Sequence, residues 1–311
     1  MSLDTKILLK IATDITENIT SHVARFSQKN IIGTLTGKTG KGGDKTKLGD
    51  STVEKKVRQM IPLLLRQYHV VQCLVVSEEE GMQMFKSNIS NSFDDRSGIF
   101  LIIDPIDGSH NMRPHVTPKP FVGFSIAIGV LDDLFSNGSF ESIRVGIVQD
   151  IFYGDTYCAV KEGGAFLNGI RISSSHVTAL KDVVLGMSLD HMGIELDDML
   201  FHGQLELLRQ TKCQRRIGSS TLDLCRVATG DYDAYVSLGG GLKVHDIAAA
   251  QLIIRESGGM LELYQDTEKK NDKILKTLYD GGGDAIQDIR FKIIAAGNEE
   301  LFLHIREIID V

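Results

Sequence analysis

Two aspartates three residues apart, Asp104 and Asp107, sit in the hexapeptide Asp104-Pro105-Ile106-Asp107-Gly108-Ser109. The apolar run 99–103 before it reads as a buried strand. That places both carboxylates at a strand's C-terminal end, where open α/β sheets bind their ligands. Gly108 lets the backbone come close to a ligand. Ser109 can cap the turn or helix that follows and leave N–H groups aimed at an anion. The hexapeptide therefore offers a hard-cation site and an anion cradle side by side. Asp-Pro and Asp-Gly-Ser are also ordinary turn chemistry, so the company the hexapeptide keeps decides between the two.

That company is acidic. Glu78 opens Ser77-Glu78-Glu79-Glu80-Gly81, directly after the strand-like run 70–76. Like charges packed this closely are costly unless solvated or paired, and a cation meets that need. Asp246 follows Lys243-Val244-His245 and precedes an Ala-rich helical stretch. Glu78, Asp104, Asp107 and Asp246 thus each follow an apolar run and precede a turn or helix. All-oxygen donors suit Mg²⁺ or Mn²⁺ rather than Zn²⁺. Two such ions roughly 3.5–4 Å apart can clamp an in-line displacement at phosphorus. Gly108-Ser109 and Gly218-Ser219-Ser220 both stand at expected helix starts and can hold phosphate oxygens. His245 is expected to pack against the wall of such a site, and no histidine is assigned a catalytic role.

The elements that must position these groups follow from periodicity. Leu8, Ile11, Ile15 and Ile19 define an amphipathic helix over 4–23. A second helix starts near Asp50 or Ser51, with Ser51 and Glu54 at capping-box spacing and Pro62 expected to kink or restart it. The Gly- and Lys-rich segment 32–48 reads as a loop or loose hairpin, either solvated or a positively charged lid. Strands are expected at 70–76, 99–103, 121–130, 145–151 and 156–160, with 163–169 a tight turn between strands. From about residue 181 strands alternate with helices: strand 183–189, helix 196–210, helix 218–227, strand 234–236, helix 247–256, strands 260–264 and 292–296, and helix 298–309. The pattern is α+β followed by α/β, with expected domains 1–180, carrying the metal-binding motifs, and 181–311, supplying Asp246 and substrate contacts.

Length and charge narrow the class. The 311 residues suit two compact units. The net charge of −7 argues against a nucleic-acid duplex as partner but not against small phosphate esters. No run reaches the roughly 18 apolar residues of a membrane span. The four scattered cysteines, without any Cys-x-x-Cys, suggest buried free thiols and a cytoplasmic setting.

Taken together the motifs resemble the inositol monophosphatase family of metal-dependent phosphatases, over nearly the whole chain. The resemblance rests on Asp50 in an Asp-x-x-Val-Glu setting, Ser77-Glu78-Glu79, the hexapeptide, and Gly163-Gly164-Ala165-Phe166-Leu167-Asn168-Gly169. It continues through Gly218-Ser219, His245-Asp246-Ile247-Ala248-Ala249, Glu256-Ser257-Gly258-Gly259 and Ala295-Ala296-Gly297-Asn298. It implies a layered αβαβα sandwich with mixed sheets, and two or three Mg²⁺ ions with Mn²⁺ a possible substitute. Glu78, Asp104 and the Ile106 carbonyl would hold one ion, and Asp104, Asp107 and Asp246 another. Glu78 and Ser109, assisted by Asp50, would orient the attacking water. The Gly108 and Ser109 amides would bind phosphate, and Asp107, Gly218, Ser219 and Ser220 would approach the alcohol. Most relatives are homodimers.

Ser237 stands where animal-type members carry an inositol-contacting glutamate. The 43–47 segment, Ser77-Glu78-Glu79 and Lys243-Val244-His245-Asp246 look more like the archaeal branch, which often combines inositol-1-phosphatase and fructose-1,6-bisphosphatase activity. Arg113, His115 and Lys119, together with Arg216 and Lys243, are candidates for a second phosphate. The expected substrate is a small sugar or polyol phosphate. A 3′(2′),5′-bisphosphate nucleotidase, an inositol polyphosphate 1-phosphatase and an inactive scaffold of the same fold are the alternatives.

Overall fold

The computed structural model describes residues 4–27, 35–39, 45–87, 97–112, 119–189, 198–264, 275 and 289–309. Two mixed sheets carry the molecule. The larger has eight strands: β3 (Gln72–Ser77), β4 (Gly81–Lys86), β5 (Ile99–Asp107), β6 (Gly123–Val130), β7 (Ile143–Asp150), β8 (Thr156–Val160), β9 (Gly164–Leu167) and β10 (Ile170–Arg171). Their order is β10-β9-β8-β7-β6-β5-β3-β4, with β3 and β5 parallel. The smaller sheet, β12-β11-β13-β15-β14, comprises β11 (Val184–Ser188), β12 (Cys213–Arg215), β13 (Ala234–Leu242), β14 (Met260–Tyr264) and β15 (Phe291–Ala296). A separate antiparallel pair is formed by β1 (Leu35–Thr39) and β2 (Lys45–Lys47).

Helices cover both sheets. On one face of the large sheet lie α1 (Thr5–Ser27) and α2 (Leu48–Gln67). Between the sheets lie α5 (Ser220–Thr229) and α6 (Val244–Glu256), and outside the small sheet lie α4 (Asp198–Gln210) and α7 (Glu299–Ile309). A short α3 (Leu131–Ser136) follows β6. The result is the layered αβαβα sandwich with mixed sheets that the sequence implied.

Strand alternation explains why the layers hold. Cys73, Val75, Ile99, Leu101 and Ile103 pack with α1 and α2, whereas Leu74, Val76, Phe100 and Ile102 pack with α5 and α6. Both faces of β3 and β5 are apolar because both are covered. Leu8, Ile11, Ile15 and Ile19 of α1 are fully buried, each contributing about 1.5–3 kcal/mol relative to exposure.

Several expectations need correction. Helix α2 runs on through Pro62 and starts at Leu48, so Asp50 lies inside its first turn rather than at its cap. Strand β4 was not foreseen: the expected turn at the three acids 78–80 and Gly81, at φ +70°, joins β3 to β4 as a tight hairpin. Segment 164–167 is strand β9, with turns on either side of it. The 234–236 strand extends to Leu242, with a register irregularity between Ser237 and Leu242 where Gly240 is left-handed, at φ +64°. Segment 32–48 contributes the β1–β2 pair, while the lysine side chains that a lid would need lie outside the described residues. Of the four free thiols, Cys73 and Cys225 are buried, and Cys158 and Cys213 are half-buried.

Close packing of α6 depends on small residues. A Cβ on Gly146 of β7 would stand 2.8 Å from the Ala249 carbonyl oxygen and 3.1 Å from its Cα. Asp246 lies one turn before that contact. Gly146→Val is therefore expected to lower stability by about 1–3 kcal/mol in urea unfolding, through overpacking. A change below about 0.5 kcal/mol would show that α6 can slide on the sheet.

Candidate functional site

The first four residues of the hexapeptide are strand. Strand β5 continues through Asp107, pairing Asp104 with Ser125 and Asp107 with Gly123 of β6, with a register irregularity between the two pairs. Residues three apart on a regular strand point to opposite faces. The irregularity, at Pro105-Ile106, re-aims the chain, and oxygens of Asp104, Asp107 and Asp246 come within 4.8 Å of one another. Ile106 is buried in this segment, and its N–H donates to Asp104 Oδ1 at 3.1 Å. Gly108 is left-handed, at φ +81°, and a Cβ there would stand 2.9 Å from Ser219 Cβ and 3.0 Å from the Gly218 carbonyl oxygen. Conformation and space both call for glycine. Ser109, half-buried, opens a single 3₁₀ turn to Asn111. The Asn111 amide donates to the carbonyls of Phe121 and Ile217, at 2.8 and 2.9 Å, tying this turn to the start of α5.

Asp107 caps α5 from the other layer. Its Oδ2 accepts from Ser219 Oγ at 2.5 Å, Thr221 Oγ1 at 2.7 Å and the Thr221 N–H at 2.7 Å. A carboxylate at a helix N-terminus meets both orphan N–H groups and the positive end of the helix dipole. On the far side of the same turn, Asp223 accepts from the Ile217 and Gly218 N–H groups and from Tyr232 Oη. The Gly218 turn is thus fixed from both sides. Ser219, expected at the substrate, is fully buried with its hydroxyl on Asp107; Ser220 is half-buried and Arg216 is exposed.

Asp246 lies in the first turn of α6, where its Oδ2 accepts from the Lys243 N–H at 2.6 Å. It does not follow a strand directly, as the sequence pattern suggested. Glu78 enters from the β3–β4 turn, and the Lys243 ammonium reaches its Oε1 at 2.9 Å. Lys243 is buried there, paired with a site carboxylate. His245 is buried at the same wall, as expected, with Nε2 3.8 Å from Glu78 Oε1 and 3.6 Å from Asp246 Oδ1. Two donor sets able to hold a cation therefore share Asp104: Glu78–Asp104–His245 and Asp104–Asp107–Asp246.

Charge crowding is severe. Burial, then Asp107, Glu78 and Asp246 beside it, raises the Asp104 carboxyl well above its ordinary range. Burial and Asp246 push Asp107 up to about 6, against the hydrogen bonds from Ser219 and Thr221. Burial also raises Asp246. Glu78 goes the other way: burial opposes its ionisation, but His245 and Lys243 outweigh burial and hold it below the usual carboxylate range. A donor set of crowded buried carboxylates fits a divalent cation, whose charge relieves the repulsion.

Asp50 is buried in the first turn of α2. One turn on, Glu54 accepts from Ser77 Oγ at 2.7 Å and from Arg58 Nε at 2.5 Å. The partners Lys243 and His245 on Glu78, Thr221 on Asp107, and Asp223 under the Gly218 turn were not anticipated. Only Thr221 carried a readable signal, a hydroxyl at a helix start. Ser237 is buried in β13, in register with Ser188 and Ile293. Arg113 and His115 lie outside the described residues, and Lys119 sits over the Tyr153 ring at 5.9 Å.

A buried carboxylate cluster able to bind metal, held in a layered αβαβα fold, is compatible with a metal-dependent phosphatase. The sequence profile of the inositol monophosphatase family matches residues 4–296, and the chain belongs to that family of phosphoric monoester hydrolases. It is 30% identical over 276 residues to a fructose-1,6-bisphosphatase/inositol-1-monophosphatase of Methanothermobacter thermautotrophicus, covering 88% of this chain and 86% of that one. It is 29% identical to a bifunctional NADP phosphatase/NAD kinase of Methanococcus maripaludis, over 82% of this chain and 42% of the relative. The extragenic suppressor protein suhB of Bartonella henselae shares the fold, with a TM-score of 0.70 and 20% identity over 97% of this chain and 98% of that one. No helix among the described residues is long and apolar enough to cross a membrane.

Without a cation, the raised carboxyls weaken the fold at neutral pH. The folded state holds protons that the unfolded chain has released, so their stabilisation is full below the ordinary carboxylate range near 3.8 and fades as pH rises through the raised values. Asp104→Asn is expected to raise the melting temperature in chelator at pH 7.5 by about 2–4 °C or more, with the gap shrinking toward pH 5. Mg²⁺ is expected to stabilise wild type more than the variant. A variant that melts below wild type in chelator at pH 7.5 would contradict the crowding argument.

Proposed function

We propose that the protein is a Mg²⁺-dependent phosphomonoesterase acting on a small sugar or polyol phosphate, with inositol 1-phosphate and fructose 1,6-bisphosphate its candidate substrates. The observation that carries this reading is the convergence of Asp104, Asp107 and Asp246, within 4.8 Å, beside the Gly108 and Gly218 turns. Glu78, Asp104 and the Ile106 carbonyl are assigned to one cation, and Asp104, Asp107 and Asp246 to another; Mn²⁺ is an acceptable substitute. When bound, such cations lower the pKa of a water and stabilise the departing oxygen.

The chain's own groups do the rest. The Gly108 and Ser109 amides bind the phosphate, and the left-handed turn at Gly108 brings that backbone close. Glu78 and Ser109 hold the attacking water, with Asp50 drawing the Ser109 proton. Gly218 and Ser220 face the alcohol part of the substrate. Ser219 acts through Asp107, whose orientation it holds. Arg216, exposed, is left as the cation for a second phosphate, while Lys243 instead offsets the charge on Glu78. In the proposed division, residues 1–180 carry most of the cation ligands and 181–311 supply Asp246 and the alcohol contacts. A homodimer is the expected assembly.

The Methanococcus relative favours one second reading, hydrolysis of the 2′-phosphate of NADP. Phosphate release from inositol 1-phosphate, fructose 1,6-bisphosphate and NADP⁺, each with Mg²⁺, separates the two. The first two are expected to be hydrolysed, with Asp104→Asn slower by about 10³-fold. Turnover of NADP⁺ alone would move the assignment to the second reading. No turnover of any of the three, with the variant indistinguishable from wild type, would overturn both.

A further inference from the structure

His245 is a buried imidazole facing carboxylates it does not hydrogen-bond. It is fully buried at the second position of α6, and neither ring nitrogen has a hydrogen-bond partner among the described residues. Leaving a buried polar nitrogen idle costs free energy. The spacing is informative. At 3.8 Å from Glu78 Oε1 and 3.6 Å from Asp246 Oδ1, Nε2 is too far for a hydrogen bond to either. Both separations are shorter than twice a metal–ligand distance of about 2.1 Å. One ion can therefore touch Nε2 and a carboxylate together. A donor atom of Asp104 lies within 4.8 Å of both His245 and Glu78, so three ligands from three elements meet. The Lys243 ammonium occupies one lone pair of Glu78 Oε1 and leaves the second oxygen and the other lone pair available.

We propose that His245 is a direct ligand of the cation held by Glu78 and Asp104. The chain then carries a mixed nitrogen–oxygen site beside the all-oxygen set of Asp104, Asp107 and Asp246. Imidazole suits borderline cations, so the nitrogen donor raises this site's preference for Co²⁺ or Zn²⁺ over Mg²⁺ above that of the all-oxygen set. The proposal rests on the cation-dependent reading above and adds a nitrogen donor to it. The competing role for the same side chain is that of an imidazolium set between Glu78 and Asp246 as a fixed counter-charge.

The deciding measurement is pulsed electron paramagnetic resonance of the full-length protein loaded with Mn²⁺, prepared with ordinary and with ¹⁵N-labelled histidine. Directly bound histidine nitrogen is expected in wild type, and it should be lost in His245→Asn and His245→Gln while Mn²⁺ still binds. Calorimetric titration should show Co²⁺ binding weakened about tenfold or more in these variants, with Mg²⁺ binding within about twofold of wild type. Mn²⁺ bound without histidine coupling would overturn the assignment and leave the phosphatase reading standing, with His245 as counter-charge. Coupling that persists in the variants would also overturn it. Failure of wild type to bind Mn²⁺ would overturn both. Circular dichroism checks the variants' fold; if neither folds, the isotope effect in wild type decides, since His245 is the one histidine in the cluster among the described residues.

Discussion

Asp104 cannot be ionised comfortably where it stands. It is almost fully buried, and Asp107, Glu78 and Asp246 all face it. Charges of one sign in a low-dielectric interior repel far more strongly than in water. Every neighbouring feature can be understood as a response. Lys243 crosses from the start of α6 to Glu78, three donors converge on Asp107, and the Lys243 N–H holds Asp246. These contacts reduce the repulsion without removing it, because Asp104, Asp107 and Asp246 all keep raised carboxyls. A divalent cation bound by the cluster would relieve this residual repulsion.

Holding such a cluster requires rigid supports from several layers. Glu78, Asp104 and Asp107 come from the large sheet, whose strands are apolar on both faces, and Asp246 comes from the helix layer between the sheets. The helix layer is located by close contacts rather than by bulk. Gly146 lets the Ala249 backbone approach β7, and Gly123 lets Thr221 approach β6. A methyl group at either place would displace a helix that carries a site residue or its partner. Small residues near the site thus do positional work that large apolar ones do in the outer layers.

Local pattern carried much of this architecture. The Leu8–Ile19 spacing, the strand before Asp104 and the Ala-rich α6 were legible because each is decided by its own periodicity. The hexapeptide was legible as a site because Gly108 and two carboxylates are constrained at once by backbone and chemistry. What escaped was non-local. Nothing in Lys243 or His245 says that its side chain ends beside Glu78, 165 residues away in sequence for the lysine. Strand β4 was missed because three acids mask a hairpin whose turn is set by Gly81. Ending the strand at residue 103 hid the register irregularity between Asp104 and Asp107, the last residue of β5.

Asp107 links the two halves of the chemistry. Among the described residues, Ser219 Oγ, the Thr221 hydroxyl and the Thr221 N–H all donate to Oδ2. One oxygen of the same carboxylate lies within 4.8 Å of oxygens of Asp104 and Asp246. A single carboxylate therefore serves both the start of α5 and the acidic cluster. Three hydrogen bonds hold its orientation, so a cation bound by the cluster would meet a preset ligand. The same bonds fix the Gly218 turn relative to that cation, and Asp223 fixes it from behind. The spacing between such a cation and the α5 N-terminus would then be set by the carboxylate, which a loop-borne ligand would leave variable.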